Sequence, residues 1–141
     1  MNDQDGKLNQ YLFKEVEFIQ NIINRMAHNS FLIKGWTVTL VAITLLLRGI
    51  PHQVFIAFIP LIVFWFLDAY YLQQERLYRL LYDWVRDNRM KTEEHLLDMN
   101  AYRFSEQVHS RLRIMTSVTL FPFYGSISLL IIIYTLIIFS T

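Results

Sequence analysis

The sequence ends in a run of 28 residues, Ile114–Thr141, that contains no charged side chain. About 20 apolar residues are enough for a helix to cross the hydrocarbon core of a bilayer. The run therefore predicts a transmembrane helix over residues 114–141. The composition of the whole chain agrees, because charged residues make up only 18% of it, whereas soluble proteins contain about 25%.

Two shorter apolar stretches, Gly35–Leu47 and Val54–Leu67, also contain no charged residue. The link between them, Arg48–Gln53, contains Gly and Pro and is typical of a tight turn. This arrangement predicts a helical hairpin over residues 31–72. The hairpin could belong to a membrane or to the core of a soluble protein, and the membrane is favoured because aromatic residues occupy interfacial positions. These residues are Trp36, Trp65, Tyr70 and Tyr71.

The distribution of basic residues predicts the topology of the three spans. Of the 13 Lys and Arg residues, one lies in Arg48–Gln53 and all the others lie on the opposite side of the membrane. Basic residues collect on the cytoplasmic side of membrane proteins. We therefore expect the N-terminus and residues 73–113 in the cytoplasm, and the C-terminus outside.

Residues 1–30 show the period of an amphipathic helix. Their apolar residues recur with alternating spacings of four and three, which is a heptad pattern. Such a helix either packs in an oligomer or lies on the membrane surface. The mixed charges of Lys14, Glu15 and Glu17 favour oligomer packing, because surface helices are usually cationic. The seam consists of Leu12, Val16, Ile19, Ile23 and Met26.

Residues 73–113 are predicted to form a cytoplasmic helical hairpin. Its first limb continues the second span, with Glu75–Arg79 and Asp83–Arg86 spaced for ion pairs within one helix. A second limb begins near Thr92, where two acidic residues follow. The pattern does not decide whether residues 92–113 form one helix or two. The predicted fold class is thus an all-α integral membrane protein with three transmembrane helices, an N-terminal amphipathic helix and a cytoplasmic helical hairpin.

No pattern in the sequence indicates an enzyme. The chain has no Cys and four Gly, so it lacks thiol chemistry and a glycine-rich phosphate loop. Its four His residues lie at positions 28, 52, 95 and 109, and no two have a spacing that would bind a metal from one helix face. We expect no catalytic residue, no metal and no cofactor.

Lys34 and Asp68 each lie 17 residues from Pro51, near the centre of the predicted turn. Opposite arms of an antiparallel hairpin therefore carry the two charges at the same depth. Unpaired charges are costly in a membrane, so an interfacial ion pair is expected. A structural clasp is the favoured interpretation; a proton or ion relay, and a Lys34 side chain that extends to the headgroups, are the alternatives.

Hydroxyl side chains recur along the third span with spacings of seven, four and seven residues. One stripe of small and hydroxyl residues favours close helix packing. It also suits the wall of a water-filled pore, which would require several copies because three spans cannot enclose a channel. The candidate pore-lining residues are Ser117, Tyr124, Ser128 and Thr135.

Arginine and aromatic residues alternate within 73–113, and single-stranded nucleic acids or nucleotides are bound by this combination. Seven acidic residues in the same segment support the alternative, a solvated surface of salt bridges. The candidate ligand-binding residues are Arg76, Arg79, Tyr82, Arg86 and Arg89.

Two segments, Asn24–Leu40 and Phe66–Asp83, resemble small bacterial inner-membrane proteins of the RipA-like octameric family. That family includes or borders the membrane effectors of anti-phage defence operons such as Hailong. The resemblance implies a homo-oligomer, suggested to be an octamer, with a cytoplasmic head. For the Hailong type it implies an ion channel held shut by a single-stranded DNA oligomer, which a partner nucleotidyltransferase makes, and opened when phage action removes that DNA.

Two hypotheses follow. The first is a homo-oligomeric channel effector of anti-phage defence, gated by single-stranded DNA or a nucleotide at the cytoplasmic head. The second is a non-conducting membrane scaffold, or a stress-related membrane protein, whose head binds a protein partner.

Overall fold

The computed structural model describes residues 3–47 and 51–140, which form helices and turns without any strand. The α-helices are α1 (Asp3–Leu46), α2 (Phe58–Asn88), α3 (Arg111–Met115) and α4 (Phe121–Ser140). Two 3₁₀ helices cover Pro51–Ala57 and Ala101–Gln107. The all-α class is therefore confirmed. Arg48–Ile50 of the predicted turn, and the terminal residues of segments 1–30 and 114–141, lie outside the described residues.

Three helical stretches are long enough and apolar enough to cross a membrane: Gly6–Leu46, Val54–Asn88 and Phe121–Ile138. The chain buries only 17%, 28% and 17% of their most apolar windows, respectively. Most of their apolar surface therefore needs lipid or another apolar partner. This confirms the prediction of a membrane protein with three transmembrane helices.

The described residues form two compact units. The polar unit contains the residues up to His28 together with Leu72–His109, and the apolar unit contains Asn29–Tyr71 and the residues from Ser110 onward. These limits lie close to the predicted boundaries at residues 30, 72 and 113. The helices, however, do not end at the limits. α1 is one helix of 44 residues, so the predicted amphipathic helix and the first span are continuous.

The core of the polar unit forms where the N-terminal part of α1 packs against the C-terminal part of α2. Ile19 and Ile23 of the predicted heptad seam are buried in it, and Leu12 and Val16 pack at its edge. Four of the five seam residues therefore contact this core within one chain, and the fifth, Met26, is half-buried. The other buried members of the core are Leu77, Leu81, Val85 and Ala101.

The second limb of the predicted head hairpin is not one continuous α-helix, because its helical residues are divided between the 3₁₀ helix Ala101–Gln107 and the start of α3. After α2 ends at Asn88, the chain makes irregular turns as far as Asn100, and His95 and Leu97 have left-handed φ angles of 55° and 56°. The carbonyls of Thr92, Glu94 and His95 accept hydrogen bonds from the Arg89 guanidinium. A helix beginning near Thr92 would use these carbonyls for its own backbone bonds, so the arginine and the helix compete for them.

The third transmembrane helix begins at Phe121, seven residues after the start of the predicted segment 114–141. Pro122 explains the difference, because proline has no backbone N–H and clashes with the preceding turn inside a helix. Proline is tolerated in the first helical turn, where Pro122 lies. The preceding residues instead form the short helix α3 and a turn from Thr116 to Leu120.

Candidate functional site

A network of polar side chains joins all three long helices inside the apolar unit. Asp68 on α2 is completely buried, and Lys34 Nζ lies 2.6 Å from its Oδ2 atom. The Ser30 hydroxyl donates to Asp68 Oδ1, and the Tyr124 hydroxyl of α4 donates to Oδ2 over 2.9 Å. Lys34 also donates to Ser30 over 2.9 Å. The ion pair predicted from residue counting is thus one part of a larger network.

This geometry gives the buried carboxylate three donors from two other helices. A buried charge is tolerated when it is paired and hydrogen-bonded, and both conditions hold for Asp68. The side chain of Lys34 remains 25% exposed, whereas that of Asp68 is completely buried. Sequence reasoning missed Ser30, although it lies four residues before Lys34 on the same helix face. The role of Tyr124 depends on how α2 and α4 pack, which has no local signal.

The four predicted pore residues do not form one hydroxyl stripe. Ser117 precedes α4, and its Oγ is buried without a partner among the described residues. Tyr124 is completely buried and binds Asp68. The Ser128 hydroxyl donates to the Tyr124 carbonyl, and the Thr135 hydroxyl donates to the Ile131 carbonyl. The expectation of a stripe starting at Ser117 is wrong, because the helix starts after that residue.

Arg89 is a structural residue of the polar unit. It is completely buried, and its Nε and Nη2 atoms donate to the Glu15 carboxylate over 2.5 and 2.9 Å. Nη1 donates to the carbonyls of Thr92 and Glu94, and Nη2 also donates to that of His95. These contacts use all five guanidinium N–H groups. Arg89 therefore has no donor for a ligand, and its assignment to the ligand-binding set is corrected.

The other members of that set all lie on α2. Arg79 binds Glu75 at 2.6 Å, and Arg86 binds Asp83 at 2.9 Å, so the two ion pairs expected within α2 are present. Tyr82 packs at the edge of the core of the polar unit. Surface ion pairs contribute at most about 1 kcal/mol, so Arg79 and Arg86 can exchange their carboxylates for another anion.

Sequence reasoning also missed the acid that neutralises Arg89. Glu15 is buried, and it accepts a further bond from the Leu97 backbone N–H over 2.6 Å. A signal was present, because Glu15 lies three residues after Leu12 and four before Ile19, on the apolar face of α1. A charge at such a position requires a buried partner.

A second arginine lies against the same tryptophan as Arg89. Arg103 places its guanidinium carbon 4.3 Å from the centre of the Trp84 ring, and that of Arg89 is 5.5 Å from the same centre. The three guanidinium nitrogens of Arg103 are buried and have no hydrogen-bond acceptor in the part of the chain that the structure describes. The aromatic face is their electrostatic contact.

The polar unit also has a shallow depression of about 310 Å³. Arg76 and Arg79 from α2 line one side, and Gln107 and His109 line the other. Leu80 and Val108 complete its wall. Two candidate ligand residues therefore lie together, beside two residues that the sequence did not single out.

Comparison with protein-family models, with curated proteins and with solved structures finds no match. Within residues 3–47 and 51–140, no three His, Asp or Glu side chains form a group that could hold a metal ion. The candidate sites are thus the Asp68 network in the apolar unit and the basic surface of the polar unit.

Proposed function

We propose that this protein is a homo-oligomeric channel of the bacterial inner membrane and acts as a non-enzymatic effector of anti-phage defence. The observation that supports it most is the Asp68 network. Ionisable residues inside transmembrane helices are rare and commonly belong to ion or proton pathways. In this chain both members of the pair lie within stretches long and apolar enough to cross a membrane.

Conduction requires several copies, because three helices cannot surround a water-filled pore. The apolar unit supports assembly in one respect, since most of its apolar side chains point away from the chain. Around a symmetry axis, the Lys34–Asp68 pair would repeat once per subunit, with the partly exposed Lys34 as the member nearer to the axis. Rings of charged side chains set the ion selectivity of channels.

The positive-inside rule supports an orientation with the N-terminus and residues 73–113 in the cytoplasm. In this orientation the polar unit meets cytoplasmic ligands. We propose that a single-stranded DNA oligomer or a nucleotide binds its exposed arginines, Arg79 and Arg86, and gates the channel. The side chains of these residues are 62% and 54% exposed, respectively, and phosphates would replace the carboxylates of their surface ion pairs.

Ion flux from vesicles tests the channel directly. The purified protein is reconstituted into vesicles that contain a chloride-sensitive dye, and efflux is compared with that from protein-free vesicles. We expect flux from the wild type and a lower anion preference for Lys34→Gln, because this change leaves the Asp68 carboxylate without its counter-charge. Lys14→Gln, at an exposed position of α1 in the polar unit, is the matched control. No flux above the protein-free level would contradict the channel.

Binding of short oligodeoxynucleotides tests the gate. Phosphate contacts release counterions, so affinity should fall steeply as salt increases. Arg86→Glu should weaken binding, whereas Arg25→Glu, at an exposed position of α1, should not. Binding that is independent of salt and of Arg86 would remove DNA and nucleotides from the proposal.

A non-conducting scaffold whose polar unit binds a protein is the second candidate. One observation favours it: the Ser128 and Thr135 hydroxyls are both bonded to carbonyls of their own helix. Hydroxyls satisfied in this way are also common in helices that simply pack together. Absence of flux combined with a stable oligomer would select this candidate.

A further inference from the structure

The depression in the polar unit has the charge of an anion site. Arg76 has neither an ion pair nor a hydrogen bond of its side chain within the described residues, whereas Arg79 is held by Glu75. One guanidinium therefore remains without a counter-charge at the wall of a cavity of about 310 Å³. Guanidinium groups bind phosphate in a two-pronged geometry that Lys cannot reproduce.

The remaining wall residues indicate what the phosphate is attached to. Gln107 adds an amide donor and His109 an imidazole, while Leu80 and Val108 add aliphatic surface. None of the six lining residues is Phe, Tyr or Trp. Nucleotides and single-stranded nucleic acids are held largely by stacking on aromatic side chains, so this wall lacks what a base needs. It fits a phosphate joined to an aliphatic group.

The position of Arg76 and Arg79 along α2 indicates where such a phosphate comes from. The apolar stretch of the second span ends near Leu72, and a helix rises 1.5 Å per residue. Arg76 and Arg79 therefore follow the end of the stretch by about 6 and 10 Å. Headgroups occupy a layer of about 5–8 Å on each side of the hydrocarbon core. Basic residues at this depth commonly contact anionic headgroups.

We propose that the depression lined by Arg76, Arg79, Gln107 and His109 binds the phosphate of an anionic phospholipid headgroup. Arg76 supplies the main charged contact, Gln107 and His109 add hydrogen bonds, and Leu80 and Val108 contact the aliphatic part of the lipid. The site does not depend on conduction or on a DNA ligand, because a scaffold with the same polar unit would have it too.

Lipid titration of the full-length protein tests this site. The protein, purified in a neutral detergent, is titrated with phosphatidylglycerol, phosphatidylcholine, inorganic phosphate or a short oligodeoxythymidine. Binding is followed by native mass spectrometry and by the thermal unfolding midpoint. We expect phosphatidylglycerol to bind about tenfold or more tightly than the zwitterionic lipid, because only the former has an uncompensated negative charge. The preference should fall as salt rises.

Two variants locate the site. Arg76→Gln should lower the affinity for phosphatidylglycerol by about tenfold or more, since a charge-assisted contact is lost. Gln107→Glu changes an exposed residue and should do the same by repulsion, which keeps the test valid if Arg76→Gln fails to fold. Lys14→Gln, at an exposed position 21 residues before the first uncharged stretch, Gly35–Leu47, should bind as the wild type does.

Equal binding of the two lipids would overturn the proposal, as would unchanged affinity in both depression variants. Saturation by inorganic phosphate without any preference for phosphatidylglycerol would make the site one for a soluble anion. Binding of the oligodeoxythymidine that both variants abolish, with no lipid preference, would assign the depression to nucleic acid.

Discussion

Replacing Glu15 by glutamine tests how the polar unit is held together. The glutamine side chain has the same shape, and its carbonyl oxygen can occupy the position of Oε1, which accepts from Leu97 N–H and Arg89 Nη2. The amide nitrogen would then occupy the position of Oε2, opposite the Nε–H group of Arg89. Two donors would face each other, and the buried guanidinium would lose its counter-charge.

The expected cost follows from these contacts. Removing one partner of a buried ion pair reduces the free energy of unfolding by about 3–5 kcal/mol. Arg89→Met should cost more, because the carbonyls of Thr92, Glu94 and His95 lose their donors as well. Glu17 lies two residues further along α1 and is exposed. The free energy of unfolding of Glu17→Gln should therefore differ from that of the wild type by no more than about 0.5 kcal/mol.

Thermal unfolding in detergent can follow the polar unit alone. Trp84 lies beside Arg89 and reports on this unit once Trp36 and Trp65 are replaced by Phe. In a domain of 60–100 residues, each kcal/mol lowers the midpoint by about 4–8 °C. Glu15→Gln should therefore lower the Trp84 transition by more than about 10 °C. A midpoint equal to that of Glu17→Gln would refute the structural role of the pair.

Three further predictions concern the apolar unit. Tyr124→Phe removes a hydrogen bond to a buried carboxylate and should reduce the free energy of unfolding, measured by thermal unfolding, by about 1.5–3 kcal/mol. Tyr134→Phe removes a hydrogen bond to a neutral carbonyl and should reduce it by about 1 kcal/mol. Gly35→Ala should stabilise α1 by about 0.5–1 kcal/mol, because the added methyl group meets no atom within 4 Å. If the variant instead forms a smaller oligomer in native mass spectrometry, another copy of the chain packs against Gly35. A cysteine at position 128 should react with a water-soluble thiol reagent in conducting vesicles, and one at Leu129 should not; equal reactivity would remove this face of α4 from a pore.

Local rules predicted much of the fold from the sequence. The spans followed from runs of apolar residues, and the ion pairs within α2 followed from spacings of three and four residues. Lys34 and Asp68 are 34 residues apart, yet equal distances from a turn were enough to place them together. In an antiparallel hairpin, separation along the chain converts directly into depth.

The same rules failed where a distant residue competes with the backbone. Thr92 followed by Glu93 and Glu94 is a good helix start, but Arg89 takes the carbonyls that the helix would need. Glu15, which is 74 residues away, fixes that arginine. No window of sequence contains both groups, so helix propensity could not reveal the outcome. Pro122 differs, because its effect on a helix is local and the start of α4 could have been placed from it.

Among the described residues, each unit has one buried carboxylate with three donors: Glu15 in the polar unit and Asp68 in the apolar unit. Apolar residues can often replace both members of a buried ion pair at little cost in stability, so the attraction between Lys34 and Asp68 does not by itself explain their presence. Leucine and isoleucine seams permit alternative registers, whereas a carboxylate accepts its donors in one arrangement only. Glu15 thereby fixes the path of residues 89–97 around Arg89, and Asp68 fixes the register of α1 and α4 against α2. A variant with Lys34 and Asp68 both replaced by Met should therefore lose less stability than either single Met variant and should lose this single arrangement, which would be visible as broadened amide signals of the apolar unit in NMR spectra.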